Sequence, residues 1–318
     1  MKNNSFLYIV TLLLLSYATN IAAIIKNSND SSAITWKPNN GRFGDKLISY
    51  AKAKWLSYTC NIPLLYVPFN YSDQLMMHEQ ELTIDSYDIN KTFSTIVDLP
   101  TNFSDPLIPN NNTLYISYWG IHVKPDWNDA IFINQLKKTI APRYPLNKVV
   151  VPEGYISVAV HVRNGGGFYF DYEAKRESNP LQFVPDEFFI KQIIRLTKMF
   201  SEEKLYVYIF TDYQKPIEIQ ERFKKAINNP RITFDCRTQD NSHSTNVLED
   251  FFSMMDFDCL IRPVSNFSKF AQYVGNNKVV IVPSGMHTNS QGKAIIDTIT
   301  IKTRDNINDR WKTKRVTI

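Results

Sequence analysis

Apolar residues recur along this chain in two alternating rhythms. Nearly unbroken apolar runs occur at 62–69, 114–118, 156–162, 205–210 and 279–283, the signature of strands. Between them, at 45–58, 128–140, 186–200 and 214–227, apolar positions return three and four residues apart, as they do on a helix with one buried face. In the first helical stretch Leu47, Ile48, Ala51, Trp55 and Leu56 share that face. Strands that alternate with helices predict a largely parallel α/β sheet.

Length sharpens this picture. A chain of 318 residues is long for one domain and comfortable for two, and 43% hydrophobic residues suffice for two cores. The prolines of Ala141-Pro142-Arg143-Tyr144-Pro145 and Pro152-Glu153-Gly154 stop one helix before the next strand starts. This predicts an N-terminal domain over 33–150 and a C-terminal domain over 151–318.

Residues 1–25 stand apart. Lys2 precedes an apolar run from Phe6 to Ser16, and Ala18 to Ala23 offers small residues suited to signal-peptidase cleavage. A secretory signal is the leading expectation. Continued through Ile25, the run reaches the length of a membrane anchor, with Lys26 to Ser32 as a stem.

Three segments carry candidate chemistry. In residues 156–167 a strand runs into His161, Arg163 and the triplet Gly165-Gly166-Gly167. The glycines allow a tight turn and close approach to a ligand, and an arginine can fork onto phosphate oxygens. Earlier, Asn40-Gly41-Arg42-Phe43-Gly44-Asp45 joins the short apolar stretch Ala33 to Trp36 to the first helix. With the run at 62–69 this makes a βαβ unit, its turn at the carboxyl edge of the sheet where ligands bind in open α/β folds. Asp45 is equally suited to capping that helix. The third segment, 249–271, predicts a helix, a strand at Cys259 to Ile261, the turn Ser265-Asn266-Phe267-Ser268 and a helix through Tyr273. Hydroxyls and free amides at a helix start suit a diphosphate, and a serine there also serves as an ordinary cap.

Taken in order, these motifs resemble the fucosyltransferase superfamily of α1,2-, α1,6- and protein O-fucosyltransferases. Gly41-Arg42-Phe43-Gly44 resembles its first glycine motif, His161-Val162-Arg163 its HxR motif, and Ser265-Asn266-Phe267-Ser268 its Ser-x-Phe-Ser/Thr turn. Tyr206 to Phe210 with Thr211-Asp212 resembles the strand and Ser/Thr-Asp turn between them. The resemblance covers residues 33–283. It implies a GT-B-like α/β fold, two Rossmann-like domains with largely parallel sheets facing across a cleft, acceptor on the N-terminal side and GDP-sugar on the C-terminal side. It further implies an inverting, metal-independent glycosyltransferase that moves fucose from GDP-fucose to a glycan or glycoprotein hydroxyl. Arg163 would stabilise the leaving diphosphate, with Gly41, Arg42, Phe43, Gly44, His161, Gly165, Asp212, Ser265, Asn266, Phe267 and Ser268 around the donor. A transferase of another GDP-sugar and a catalytically inactive relative stay open as readings.

The sequence departs from the family pattern at two places. Asp45-Lys46 stands where most relatives have Asn-Gln, and glycines follow the HxR where an Asp is common. The base that accepts the acceptor's proton is therefore sought among Asp45, Asp171 and Glu173, with Asp45 first. No metal is expected, since the five histidines show no HxxxH or HExxH spacing and the three cysteines no CxxC. Asp256 and Asp258 form an Asp-x-Asp beside a strand and are read as coincidence. Cys236 with Cys259 is a candidate pair. Tyr118, Trp119 and Trp127 could stack on an acceptor sugar. Several Asn-x-Ser/Thr sequons occur, among them those at Asn29, Asn70, Asn90, Asn102, Asn111 and Asn266. The net charge of +5 suits a diphosphate-binding enzyme. The basic stretch from Lys302 to Arg315 reads as a solvated tail, with no nucleic acid expected.

Overall fold

The computed structural model describes residues 32–103, 106–164, 177–304 and 311–318. The chain divides into two compact units between Pro145 and Leu146. Both are α/β, and the parallel sheets expected from the alternating pattern are present in each.

In the first unit, β1 (Ala33–Trp36) pairs in parallel with β5 (Thr113–Ser117), and β5 with β4 (Thr95–Asp98). On its other side β1 meets Leu64 through a parallel bridge, next to the short pair β2 (Leu65–Tyr66) and β3 (Leu82–Thr83). The predicted βαβ unit is therefore formed, with helix α1 (Phe43–Cys60) between β1 and β2. The run at 62–69 contributes only two strand residues, because Pro63 and Pro68 lack the N–H a ladder requires. Trp36 and Tyr66, the last residues of β1 and β2, form an aromatic group with Tyr50 of α1, the Trp36 ring lying 5.6 Å from Tyr50 and 6.2 Å from Tyr66 between centroids. Helix α2 (Ala130–Ile140) begins at Asp129, whose Oδ1 accepts from Phe132 N at 2.9 Å, and brings Phe132 edge-on to Trp55 at 4.9 Å.

The second unit is built on seven strands in the order β12-β11-β10-β9-β6-β7-β8. β6 (Tyr155–Val162), β7 (Lys204–Thr211), β8 (Ile232–Cys236), β9 (Cys259–Ile261) and β10 (Val279–Thr288) are parallel, while β11 (Ala294–Arg304) and β12 (Trp311–Thr317) extend the sheet antiparallel. Helices α3 (Asp186–Met199) and α4 (Pro216–Ile227) cover one face through Phe188, Phe189, Ile193 and Phe223 packed on Val158, Val160, Val207 and Ile209. On the other face, α5 (Val247–Asp256) and α6 (Asn266–Val274) pack against each other through Phe251 and Phe270, 6.2 Å between centroids.

Two expectations are corrected here. The basic stretch from Lys302 to Arg315 is no unstructured tail, since Lys302–Arg304 pair with Trp311–Thr313, and Lys314 and Arg315 with Ile301 and Thr300, while Lys312, Lys314 and Arg315 are exposed to solvent as expected. Alternating Thr and Ile along β11 gave it one face to bury, which the charge count concealed. Cys236 and Cys259 are both free thiols, on β8 and β9, with β6 and β7 lying between those strands.

Candidate functional site

Strand order determines where a ligand can enter each sheet. In the second unit, the first strand, β6, lies between β7, which follows it, and β9, which arrives after the chain has crossed over. The chain runs from β6 to β7 on one side and from β9 to β10 on the other, so the carboxyl ends of β6 and β9 mark the switch point at which open α/β sheets form a ligand-binding crevice. The HxR motif leaves β6 there, and the Ser-x-Phe-Ser turn follows β9.

The two motifs are in contact. Alternation along β6 turns Val158, Val160 and Val162 to the α3 and α4 side and His161 to the α6 side. There His161 Nδ1 lies 2.8 Å from Ser268 Oγ, and its ring lies 5.8 Å from that of Phe267. His161 and Ser268 are both buried. Ser265 is the N-cap residue of α6, and its side chain makes no capping hydrogen bond. The first N–H groups of α6 thus point to the same end of the sheet as Arg163, with the positive end of the helix dipole behind them.

Arg163 is held from the segment that precedes α3. Its guanidinium carbon sits 5.4 Å from the centroid of the Phe183 ring. With its amide oxygen turned toward the guanidinium, Gln182 accepts from Arg163 Nη1 at 2.8 Å and Nη2 at 3.2 Å. This segment is tied to the loop after β9, since Val264 N donates to Leu181 O at 2.7 Å. Asp212, at the end of β7, accepts from Asn164 N at 2.6 Å through Oδ1 and so braces the residue after Arg163. Asn241 in turn donates to Thr211 O at 2.8 Å and also bonds the carbonyl of Tyr213. Gly165, Asp171 and Glu173 lie outside the described residues.

The first glycine motif belongs to the other unit, at the carboxyl end of β1. That strand too lies at a change of direction, with β2 on one side and β5 on the other, and Lys37 N donates to Ser117 O at 2.8 Å between their ends. Gly41 is required by space: a Cβ there would stand 2.4 Å from Asp45 Cβ and 2.7 Å from Asn39 Oδ1. Arg42 is the N-cap of α1, and its N–H donates to Asp45 Oδ2 at 3.1 Å, one half of a capping box. The Asp45 carboxylate therefore serves the helix start. Phe43 is buried, 5.9 Å from Tyr71 and 6.3 Å from Phe69 between centroids, and Gly44 is buried with it.

Other candidates are engaged elsewhere. Asp256 pairs with Lys148 at 2.5 Å and Asp258 with Lys278 at 2.8 Å, so the Asp-x-Asp carboxylates hold separate structural contacts. Among the described residues no group of three metal-ligating side chains converges. Trp119 is about half exposed at 48%, with its carbonyl accepting from Lys52 Nζ at 2.9 Å, while Trp127 packs 6.4 Å from Phe132. Residues 1–25 lie outside the described part, and among the described residues no helix is long and apolar enough to cross a membrane.

Sequence reasoning missed Gln182, Phe183 and Arg262. The first two reach Arg163 only because the segment before α3 folds back over the end of β6, and Gln-Phe carries no motif. Arg262 follows β9 directly and is buried, a placement its neighbours Ile261 and Pro263 do signal.

No protein-family model and no curated protein matches the sequence. Solved structures do. A FUT1 mutant from Arabidopsis thaliana, in complex with GDP, superposes with a TM-score of 0.53 at 11% identity, covering 86% of this chain and 76% of that one. The fucosyltransferase NodZ from Bradyrhizobium gives a TM-score of 0.47 at 12% identity, over 80% of this chain and 96% of that one. NodZ α-1,6-fucosyltransferase soaked with GDP-fucose gives 0.47 at 11% identity, over 91% and 99%. The likeness to FUT1 is one of fold, and it agrees with the GT-B-like, two-unit Rossmann-like architecture that the motif order implies.

Proposed function

We propose that this protein is a glycosyltransferase that moves fucose from GDP-fucose to a hydroxyl of a glycan or glycoprotein. The observation that carries this is the contact of His161 with Ser268, which ties the start of α6 to the end of the strand that leads into Arg163, at the switch point between β6 and β9. Three features that suit a diphosphate lie at this end of the sheet: an arginine against an aromatic ring, the N–H groups of a helix start, and Asn164 braced by Asp212. The FUT1 structure that shares the fold contains GDP, and the ordered motifs, which resemble those of fucosyltransferases, indicate fucose as the sugar.

Each residue then has a chemical task. As the bond from fucose to the diphosphate breaks, negative charge builds on the leaving oxygen, and Arg163 neutralises it from a position fixed beforehand by Phe183 and Gln182. The amides of Asn266, Phe267 and Ser268 are assigned to the phosphates. His161 fixes the loop through Ser268 and Phe267. The acceptor oxygen attacks the anomeric carbon from the opposite side, with inversion, and its proton passes to a carboxylate. We assign that proton to Asp45. The reaction as assigned needs no metal ion, because Arg163 and the helix start supply the positive charge. The apolar segment at 6–25 supports placement in the secretory pathway, as a cleaved signal or an anchor.

The test is donor turnover by the full chain with GDP-fucose, GDP-mannose and a UDP-sugar, with and without a chelator. Turnover of GDP-fucose alone, insensitive to chelator and lost in Arg163→Ala, is the expected result. Turnover of GDP-mannose instead would replace the sugar, and GDP binding without turnover of any donor would mark an inactive relative. Asp45→Asn separates the base from the cap: lost turnover with α1 intact supports Asp45, and unchanged turnover moves the role to Asp171 or Glu173.

A further inference from the structure

A second group of cations lies on the flank of α6, around the helix from Ser268. Arg262 continues the line of β9, its N–H donating to Ile281 O at 3.0 Å. Its side chain is buried, with Nε donating to Gln272 Oε1 at 2.9 Å and Nη1 to Pro263 O at 3.0 Å. Both partners are neutral. Lys302 reaches the same face of the sheet, because it pairs with Val280 on β10 and Val280 pairs with Leu260 on β9, two residues before Arg262. Lys269 and Tyr273 stand one turn apart on α6, with Lys269 Nζ 5.9 Å from the centroid of the Tyr273 ring.

No carboxylate pairs with these three cations among the described residues. Burial lowers Arg262 to about 10, with the Tyr273 hydroxyl opposing. Lys269 is lowered by burial and then by Arg262, and Lys302 by burial and then by Arg262 and Lys269. Lys302 thus feels both other cations as repulsive, and Lys269 feels Arg262. A protein surface ordinarily relieves such crowding with an acid or by turning the side chains to water. Here Arg262 is fixed under α6, and both lysines are half-buried around it.

We propose that Arg262, Lys269 and Lys302 form an oxyanion site between α6 and the β10–β11 pair, which takes a phosphate or sulfate group and is separate from the crevice at Arg163. The Arg262 guanidinium supplies fixed donors, and the two ammonium groups supply charge. A tetrahedral dianion would turn the mutual repulsion of the three cations into shared attraction. The site does not depend on what binds at the switch point.

The experiment is calorimetric titration of the full chain with inorganic phosphate and with sulfate, at ionic strength matched by chloride, alongside thermal unfolding in each salt. Saturable binding is expected, weakened roughly tenfold in Lys269→Gln and in Lys302→Gln and retained in Arg163→Ala. Stability carries an inverted sign: Lys302→Gln should melt above the wild type in chloride, where it relieves repulsion, and below it in phosphate. Preference between phosphate and sulfate identifies which oxyanion the site takes. The proposal is overturned if neither anion binds, if the lysine variants bind as the wild type does, or if Arg163→Ala abolishes binding and so places the anion in the crevice. GDP binding, followed in the same variants, reports on the proposed donor site independently.

Discussion

Ser268 Oγ lies 2.8 Å from His161 Nδ1, joining the third helix-start motif to the end of β6 across 107 residues of sequence. Both side chains are buried. Ser268→Ala removes the partner while the imidazole stays, and a buried polar group that loses its partner costs about 1–3 kcal/mol. Urea unfolding should show that loss. GDP affinity should fall with it, because the bond fixes the start of α6 against the crevice. Ser268→Thr, which keeps a hydroxyl, should recover part of both.

Gly41→Ala tests the first motif on steric grounds alone. The added methyl would meet Asp45 Cβ at 2.4 Å and Asn39 Oδ1 at 2.7 Å, so the loop or the helix start must shift. Overpacking of this kind costs about 1–3 kcal/mol. Circular dichroism during thermal melting reads the loss, and a melting point equal to the wild type would refute the crowding.

Acid sensitivity should trace to Asp258. Burial acts to raise its carboxyl, but the bond from Lys278 Nζ and those from Ser157 N and Oγ outweigh it and leave it below the ordinary carboxylate value. A depressed value means that this contribution is complete above the unfolded-state range near pH 4 and disappears as pH falls through the folded-state value. Stability curves from pH 6 to pH 3 should therefore fall less steeply in Asp258→Asn than in the wild type. Parallel curves would contradict the assignment.

Thiol chemistry gives an independent check on the sheet order. Cys236 is buried and pushed up to about 11, by burial and then by the Asp235 and Glu221 carboxylates; Cys259 is buried and pushed up further by burial and Asp258. Cys60, half-buried, is raised by burial as well. An alkylating reagent at neutral pH should modify Cys60 slowly and the other two only on unfolding. A Cys236–Cys259 disulfide detected by mass spectrometry would contradict the strand order β9-β6-β7-β8.

Much of this was legible in the chain, for identifiable reasons. The apolar run at 156–162 became β6 because both faces of a central parallel strand are buried, leaving only Ser157 and His161 as polar positions within it. Ser265 to Ser268 stood out because a helix start after a strand has its own residue preferences. The run at 62–69 misled because its two prolines allow only a two-residue strand there. The tail's charges are solvated as read, but its strand stayed hidden because an edge strand exposes them, and only the pairing of Thr300 with Arg315 and Lys302 with Thr313 reveals the ladder. Asp45 shows the limit of motif reading at a site: the position can serve a cap as well as catalysis, and its bond to Arg42 N shows the cap while the proposed base role is left to the Asp45→Asn variant. Gln182 and Phe183 were illegible because their role exists only once the loop has folded onto Arg163.

The central claim is that Arg163 and the start of α6 hold a nucleotide diphosphate at the switch point of the second unit. Calorimetric titration of GDP into the full chain and into Arg163→Ala tests it most directly, with thermal melts confirming that both proteins are folded. Wild type should bind GDP saturably, and the variant should bind it roughly a hundredfold more weakly, the effect of losing a forked, charge-assisted contact. Equal affinity in a folded Arg163→Ala variant, or no GDP binding by the wild type, would contradict the account.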